Sequence, residues 1–577
     1  MRLPRPLAWV RQPTALLAVA VFGILAVLVI SPLSGLVAST LAPGASSTWP
    51  EVVASPLSRN LLWTPLGNSV LVGLGTAVFS SVVGGLLAWI VVLTDVPGRR
   101  TIGALATIPF ALPSFAIALS WETVFRNDRL GGTSGLLTSF GIAVPDALSW
   151  GTLPIILTLG AHYYSLSFVL IAASLASVGG DLIAAAEMTG ASRSRIALRI
   201  ALPVVAPAII SGALLAFAEG VSNFAVPALL GLPVRFQTLS TRLYGAIATG
   251  DTVRGYVLSI VLVAVAALVL WAGTSVTRKR SFETITGKSS RGRRFDSGPW
   301  KWPLFAIASA IVGATTIVPA IVLVVSTFTR RTNSFAGGLT THFWVGESDP
   351  SIAQGQSGVL ANPVVVDATI STIALGAGVA VCAILVGLAA SYVTTRLRGA
   401  PVITGTIGFL SFVPFLIPGI ALGAAFIAQF GAPIGPFPSL YGTLGILLVA
   451  GTAASLPFAY QTSRVALGQI SADLEEAAVM TGATMLQRAR RVLLPLAAPG
   501  IVGGAILVFV TMVRDLSLVV LLATPATPLL SVLTYRYASD GFTQFANAIT
   551  VIIAVISVLA TLLARRLQGA SQPWMER

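Results

Sequence analysis

A single cysteine, Cys382, serves the whole 577-residue chain. That excludes an intramolecular disulfide and any thiolate metal cluster, and its place in an apolar run reads as packing. Histidine is nearly absent. His162 falls in a predicted span and His342 in a loop, without the spacing of a metal pair. His162, followed by Tyr163 and Tyr164, reads as a packed or lumen-facing polar residue. Charge is scarce too: Asp, Glu, Lys and Arg make up 10% of the chain, where a soluble protein carries about 25%. No Gly-x-x-x-x-Gly-Lys-Ser/Thr loop is present, and Ser, His and Asp are too scattered for a triad. The expectation is a chain that is not an enzyme and binds no cofactor itself.

Apolar sequence is abundant, at 55% hydrophobic residues with a mean hydropathy of +0.89. Crossing a bilayer core takes about 20 apolar residues, and about twelve such runs are present. They cover 14–37, 66–94, 101–122, 150–175, 203–220, 255–276, 302–327, 366–395, 403–430, 440–463, 496–513 and 543–564. The fold class is an all-α polytopic membrane protein, since a β-barrel would show short alternating segments. The N-terminal Arg2, Arg5 and Arg11 ahead of an apolar stretch imitate a secretory signal. The length of the run favours an uncleaved first span.

Net charge is +15, but its placement argues against nucleic acid as a partner. With the loops at 181–203 and 473–495 taken as cytoplasmic, 25 of the 35 Lys and Arg residues fall on that side. This positive-inside bias fixes orientation and places both termini in the cytoplasm. The basic excess then answers anionic lipid.

The chain repeats itself. Residues 181–207 (DLIAAAEMTGASRSRIALRIALPVVAP) and 473–499 (DLEEAAVMTGATMLQRARRVLLPLAAP) align without a gap at an offset of 292, with 14 of 27 positions identical. Pro109, Phe110 and Pro113 answer Pro414, Phe415 and Pro418, and Leu239, Ser240 and Tyr244 answer Leu530, Ser531 and Tyr535. The organisation is two parallel six-helix repeats, 1–277 and 302–577, joined by a basic linker, 278–301. Parallel repeats place a pathway at their interface. Prolines inside spans free backbone carbonyls, tolerated where a neighbour or a cavity takes them up.

Each repeated island predicts a surface helix–turn–helix. Asp181 and Asp473 suit N-caps, Gly190 and Gly482 permit a sharp turn, and Ala185–Ala186 and Ala477–Ala478 let a partner approach closely. Pro203 and Pro495 open the following spans. Glu476-Ala477-Ala478, three residues, Gly482 and then Leu494-Pro495 resemble the signature of permease subunits of binding-protein-dependent ABC importers. The first copy departs, with Ala184 in place of the Glu. The resemblance implies that both loops seat in grooves of two separate ATPase subunits. Those subunits would carry ATP and Mg, and an extracytoplasmic solute-binding protein would dock on the outer loops. From about residue 66 the chain is similar to the fused, iron(III)-type branch, through 219–246 and through 513–542. Arg514-Asp515-Leu516-Ser517 there places Asp where the branch has Glu. The metal is then cargo, with importers of 2-aminoethylphosphonate, thiamine and polyamine as close relatives.

The 292 offset also aligns Glu219 with Thr511, Ser222 with Arg514 and Asn223 with Asp515. Ionisable groups at membrane depth are costly and mark function, so Glu219, Asn223, Arg514, Asp515 and Ser517 are candidates for a gate or pathway lining. The bland alternative is a boundary loop held by an Arg514–Asp515 contact. An ion-coupled secondary transporter would instead use carboxylates buried mid-span, and a membrane scaffold would not need paired docking loops.

Overall fold

The computed structural model describes residues 14–177, 188–189, 192–278, 297–397, 399–433, 435–436 and 438–568. Among the described residues, ten helices are long and apolar enough to cross a membrane. They are Thr14–Leu41, Arg59–Leu93, Asp146–Ala176, Arg199–Ser222, Thr252–Ala272, Gly298–Ser326, Pro363–Arg396, Leu444–Gly468, Met485–Arg514 and Thr543–Ala564. Two more candidates are broken. Arg99–Ala111 and Ser114–Phe125 meet at 96°, and Pro401–Leu416 and Gly419–Phe430 meet at 111°. Counting each bent pair as one gives twelve spans, numbered here in chain order, with the bent pairs third and ninth. The runs expected at 101–122 and 403–430 are therefore not straight crossings. Each breaks at the proline singled out in the sequence, at Leu112–Pro113 and Ile417–Pro418, because proline offers no N–H and crowds the preceding turn.

A second proline effect recurs five times. Ala26–Ile30, Arg59–Trp63, Ala197–Ala201, Gly313–Ile317 and Ala489–Leu493 are π-helical turns, each ending two residues before a proline (Pro32, Pro65, Pro203, Pro319, Pro495). An α-helical proline would clash with the carbonyl four residues back, at about 3 kcal/mol. The wider turn relieves this: Ser31, Thr64, Val318 and Leu494 donate five residues back, to Ala26, Arg59, Gly313 and Ala489. The helix continues through the proline rather than ending.

The two halves pack alike. In lipid, helices associate through close van der Waals contact, which favours small residues. Gly84 of the second span lies so near the fourth that a Cβ there would sit 2.8 Å from the Tyr164 carbonyl oxygen. Gly387 of the eighth meets Tyr460 of the tenth in the same way, at 2.7 Å from its nitrogen. The first spans are exchanged. The opening helix Thr14–Leu41 packs on spans eight to ten of the second half, and Gly35 lies against Gln429. The seventh span packs on spans two to four of the first half, where the Thr315 hydroxyl donates to the Tyr164 hydroxyl at 3.1 Å. One departure from an all-helical fold is a short antiparallel hairpin, Thr329–Arg331 with Ser334–Leu339, after the seventh span.

Most of the expected linker lies outside the described residues. Its end is fixed: the Ser297 amide donates to Asp95 at 2.9 Å, and Lys301 pairs with the same carboxylate at 3.2 Å.

Candidate functional site

The second repeated loop is fully described. Its helix runs Ala472–Met480, so Asp473 is not the N-cap. Ser471 caps it, its hydroxyl accepting the Asp473 amide at 3.2 Å and donating to the Asp473 carboxylate at 2.9 Å. The short serine hydroxyl reaches the second helical N–H, and Asp473 acts from the first turn on the helix dipole. Gly482 has φ +80°, the left-handed conformation glycine adopts without penalty. The Gly482 amide reaches the Val479 carbonyl at 2.9 Å and the Ala483 amide reaches Ala478 at 3.0 Å, a Schellman closure. The next helix starts at Met485 with a capping box between Thr484 and Gln487. It runs through the π-turn and Pro495 into the eleventh span without a break.

The face this loop shows to solvent is apolar. Leu474, Val479, Met480 and Leu486 are exposed, Met480 at 87%. Glu476 and Ala477 are exposed with them, and Ala478 is half-buried. The neighbouring Glu475 points the other way. It pairs with Arg396 at 3.1 Å, with the side chains 8% and 16% exposed, and Arg396 also bonds the Ile470 carbonyl at 3.0 Å. The loop is thereby tied to the end of the eighth span. Sequence reasoning passed over this pair. The signals were a Glu-Glu doublet, whose members must face differently on a helix, and an arginine closing a long apolar run. Asp181, Ala185, Ala186 and Gly190 of the first loop lie outside the described residues. Pro203 is the second residue of the α-helix Leu202–Ser222, directly after the π-turn in the fifth span.

At the opposite ends of spans five and eleven the chain leaves each helix into a matching loop. The Asn223 side chain accepts the Val226 amide and that of Asp515 the Leu518 amide, both at 3.0 Å. Ser240 donates to the Asn223 carbonyl at 2.9 Å and Ser531 to the Asp515 carbonyl at 2.7 Å. Side chains filling these frames differ. Tyr163 donates to Glu219 at 3.3 Å and accepts from Asn223 at 3.3 Å, and Asn223 also donates to Ser114 at 3.0 Å.

Arg514 crosses between the halves. It donates to the Leu112 carbonyl at 3.3 Å and lies 4.3 Å over the Phe110 ring. The carbonyl it takes up is the one next to the break in the third span. Ser517 accepts the Phe224 amide at 3.3 Å, a second tie between halves. The five candidates thus lie in one layer where the halves meet. Arg514 and Asp515 form no ion pair among the described residues, so the alternative of a loop held by their mutual contact is not what is seen. Beside this layer Phe224, Tyr244 and Tyr535 cluster, with ring centroids 4.7, 5.3 and 6.2 Å apart. His162 is buried against Tyr163 and leaves Nδ1 unpartnered. No group of three or more His, Cys, Asp or Glu side chains able to hold a metal occurs among the described residues.

On the side of the layer nearer the second repeated loop lies a cavity of about 920 Å³ between the halves. Phe110 and Thr107 of the third span form one wall, and spans ten, eleven and twelve the others. It extends from Arg514 to Gln469, Leu496 and Ala564, at the ends of spans nearest the second repeated loop.

A family model described as the binding-protein-dependent transport system inner membrane component matches residues 80–281 and 383–577. The ferric transport system permease protein FbpB of Actinobacillus pleuropneumoniae is 24% identical over 540 residues, covering 88% of this chain and 71% of that protein. The probable sulfate transport system permease protein cysT of Prototheca wickerhamii is 27% identical over 216 residues, covering 36% of this chain and 79% of that one. A solved inward-facing MetNI methionine ABC transporter chain is 24% identical over 36% of this chain and 97% of its own, with a TM-score of 0.31. The two matched segments take in the repeated loops and the helices around the cavity, and the chain belongs to the family of binding-protein-dependent transport system inner membrane components.

Proposed function

We propose that this chain is the fused permease subunit of an ATP-driven importer, carrying iron(III) delivered by an extracytoplasmic binding protein. The observation that carries the reading is the docking loop. A rigid, doubly capped helix–turn–helix holds four apolar side chains in solvent, and such a patch marks a partner. Two ATPase subunits would seat on the loops at 181–203 and 473–495, supplying the ATP and Mg. The basic loops and both termini would face the cytoplasm. Closure of the ATPases would draw the loops together and pass the layer at Glu219, Asn223, Arg514, Asp515 and Ser517 from closed to open. Iron(III) is favoured by the ferric relative, whose similarity spans nearly the whole chain. The sulfate relative matches about a third of it and supports an oxyanion as the second reading.

Cells lacking the chain, and cells complemented with it, would be given iron-55, sulfur-35 sulfate, and labelled 2-aminoethylphosphonate, thiamine and polyamine. Restored iron uptake, absent in a Gly190→Pro/Gly482→Pro double variant, is the expected result. Restoration of another tracer alone would discard iron, and restoration of none would discard the importer.

A further inference from the structure

The wall of this cavity between the halves is informative for what it omits. Among its described lining residues there is no Asp, Glu, His, Cys or Tyr. Its polar side chains are Thr107, Gln461, Thr462, Gln469, Thr511 and Thr561, and its one charge is Arg514. A hard, highly charged cation entering without ligands of its own requires anionic oxygens around it. The amides of Gln461 and Gln469 with a guanidinium are instead donors suited to an anion, while the hydroxyls of Thr107, Thr462, Thr511 and Thr561 donate back to carbonyls of their own helices. Glu219 and Asp515 act electrostatically on Arg514, but neither lines the cavity. Their carboxylates are engaged by the Tyr163 hydroxyl and by the Leu518 amide.

Arg514 is also placed for such a role. Its stem comes from the second half, its guanidinium rests on Phe110 of the first, and one of its several N–H donors is used on the Leu112 carbonyl. Position 222, its counterpart in the other half, is a serine whose hydroxyl turns back to the Ala218 carbonyl at 2.6 Å. The charge is therefore one-sided, at the end of the cavity where the halves close together.

We infer that this cavity receives an oxygen-rich anion and that Arg514 is its charge contact at the closed end. That the anion is cargo rests on the importer reading. Two sources share this chemistry. Iron would cross as a ferric ion still wrapped in anionic oxygen ligands, or the cargo would be a free oxyanion such as sulfate.

The test is equilibrium binding of iron-55 ferric citrate and of sulfur-35 sulfate to the purified full-length chain in lipid nanodiscs. Saturable binding of at least one probe is expected, weakened about tenfold or more in Arg514→Gln, the effect of losing one charge-assisted hydrogen bond. Arg514→Lys should keep part of it. Gln461→Glu, which adds a carboxylate to the wall without changing its shape, should weaken binding comparably. The probe that binds identifies the source. Binding of neither probe overturns the inference. So does affinity unchanged in both Arg514→Gln and Gln461→Glu, with correct folding of each read from its size-exclusion profile. Binding that depends on Arg514, in a chain that supports no uptake in cells, would keep the anion site and remove the importer. Uptake without Arg514-dependent binding would do the reverse.

Discussion

Arg396 ties the second repeated loop to the end of the eighth span. Its guanidinium holds Glu475, 8% exposed, and the Ile470 carbonyl just past the end of the tenth span. Removing one member of a buried pair leaves the other charge uncompensated, at about 3 kcal/mol. Arg396→Met should therefore lower the temperature of half-inactivation clearly, while Arg396→Met/Glu475→Met should regain most of the loss. A similar argument applies at Tyr163, whose hydroxyl links Glu219 and Asn223. Tyr163→Phe strands both partners, at about 1–2 kcal/mol, and should loosen the closed layer. Cys382 is the only native thiol, so a Cys382→Ala/Ala225→Cys background gives a single reporter beside the layer. Tyr163→Phe should speed its reaction with a water-soluble maleimide; an unchanged rate would place the hydroxyl outside the closure.

The helix Ala472–Met480 shows how element-scale features divide between the readable and the hidden. Gly482 has open space around it, so Gly482→Ala meets no clash, only the left-handed backbone. That costs about 1–2 kcal/mol and should lower amide-exchange protection across Ala472–Met480. Gly482→Asn should lower it less, since Asn tolerates this conformation. The turn was legible because glycine has a strong local meaning. The breaks in spans three and nine were legible in part, because proline fixes where a helix fails and says little about where the chain then goes. The cap was misassigned to Asp473 because Ser471 and Asp473 are both good caps, and only the backbone decides. Arg396–Glu475 stayed hidden because pairing across nearly eighty residues is tertiary information. The exchange of the first spans was equally invisible, since an apolar surface in lipid carries no address for its neighbour.

Across the whole molecule, Asp95 fastens the start of the seventh span to the corner after the second. The Ser297 amide and Lys301 hold its carboxyl well below the usual carboxylate range. A depressed carboxyl contributes stability that is fully present above the unfolded value, 3.8, and is lost as pH falls through and below it. Thermal stability should thus be insensitive to this group from neutral pH down to about pH 5, then fall. Asp95→Asn should start lower at neutral pH and show a flatter acid limb; parallel curves would mean the fastening adds nothing. The exchanged first spans have a consequence in time. The opening helix finds the sixth and eighth spans beside it earlier, but its ninth-span neighbour is complete only after residue 430 has been made, while ribosomes add about 5–20 residues per second. Once its own last residue, Leu41, is out, it spends roughly 20–80 seconds in the bilayer without its final partners. A cell making this protein needs somewhere to hold that helix while it waits.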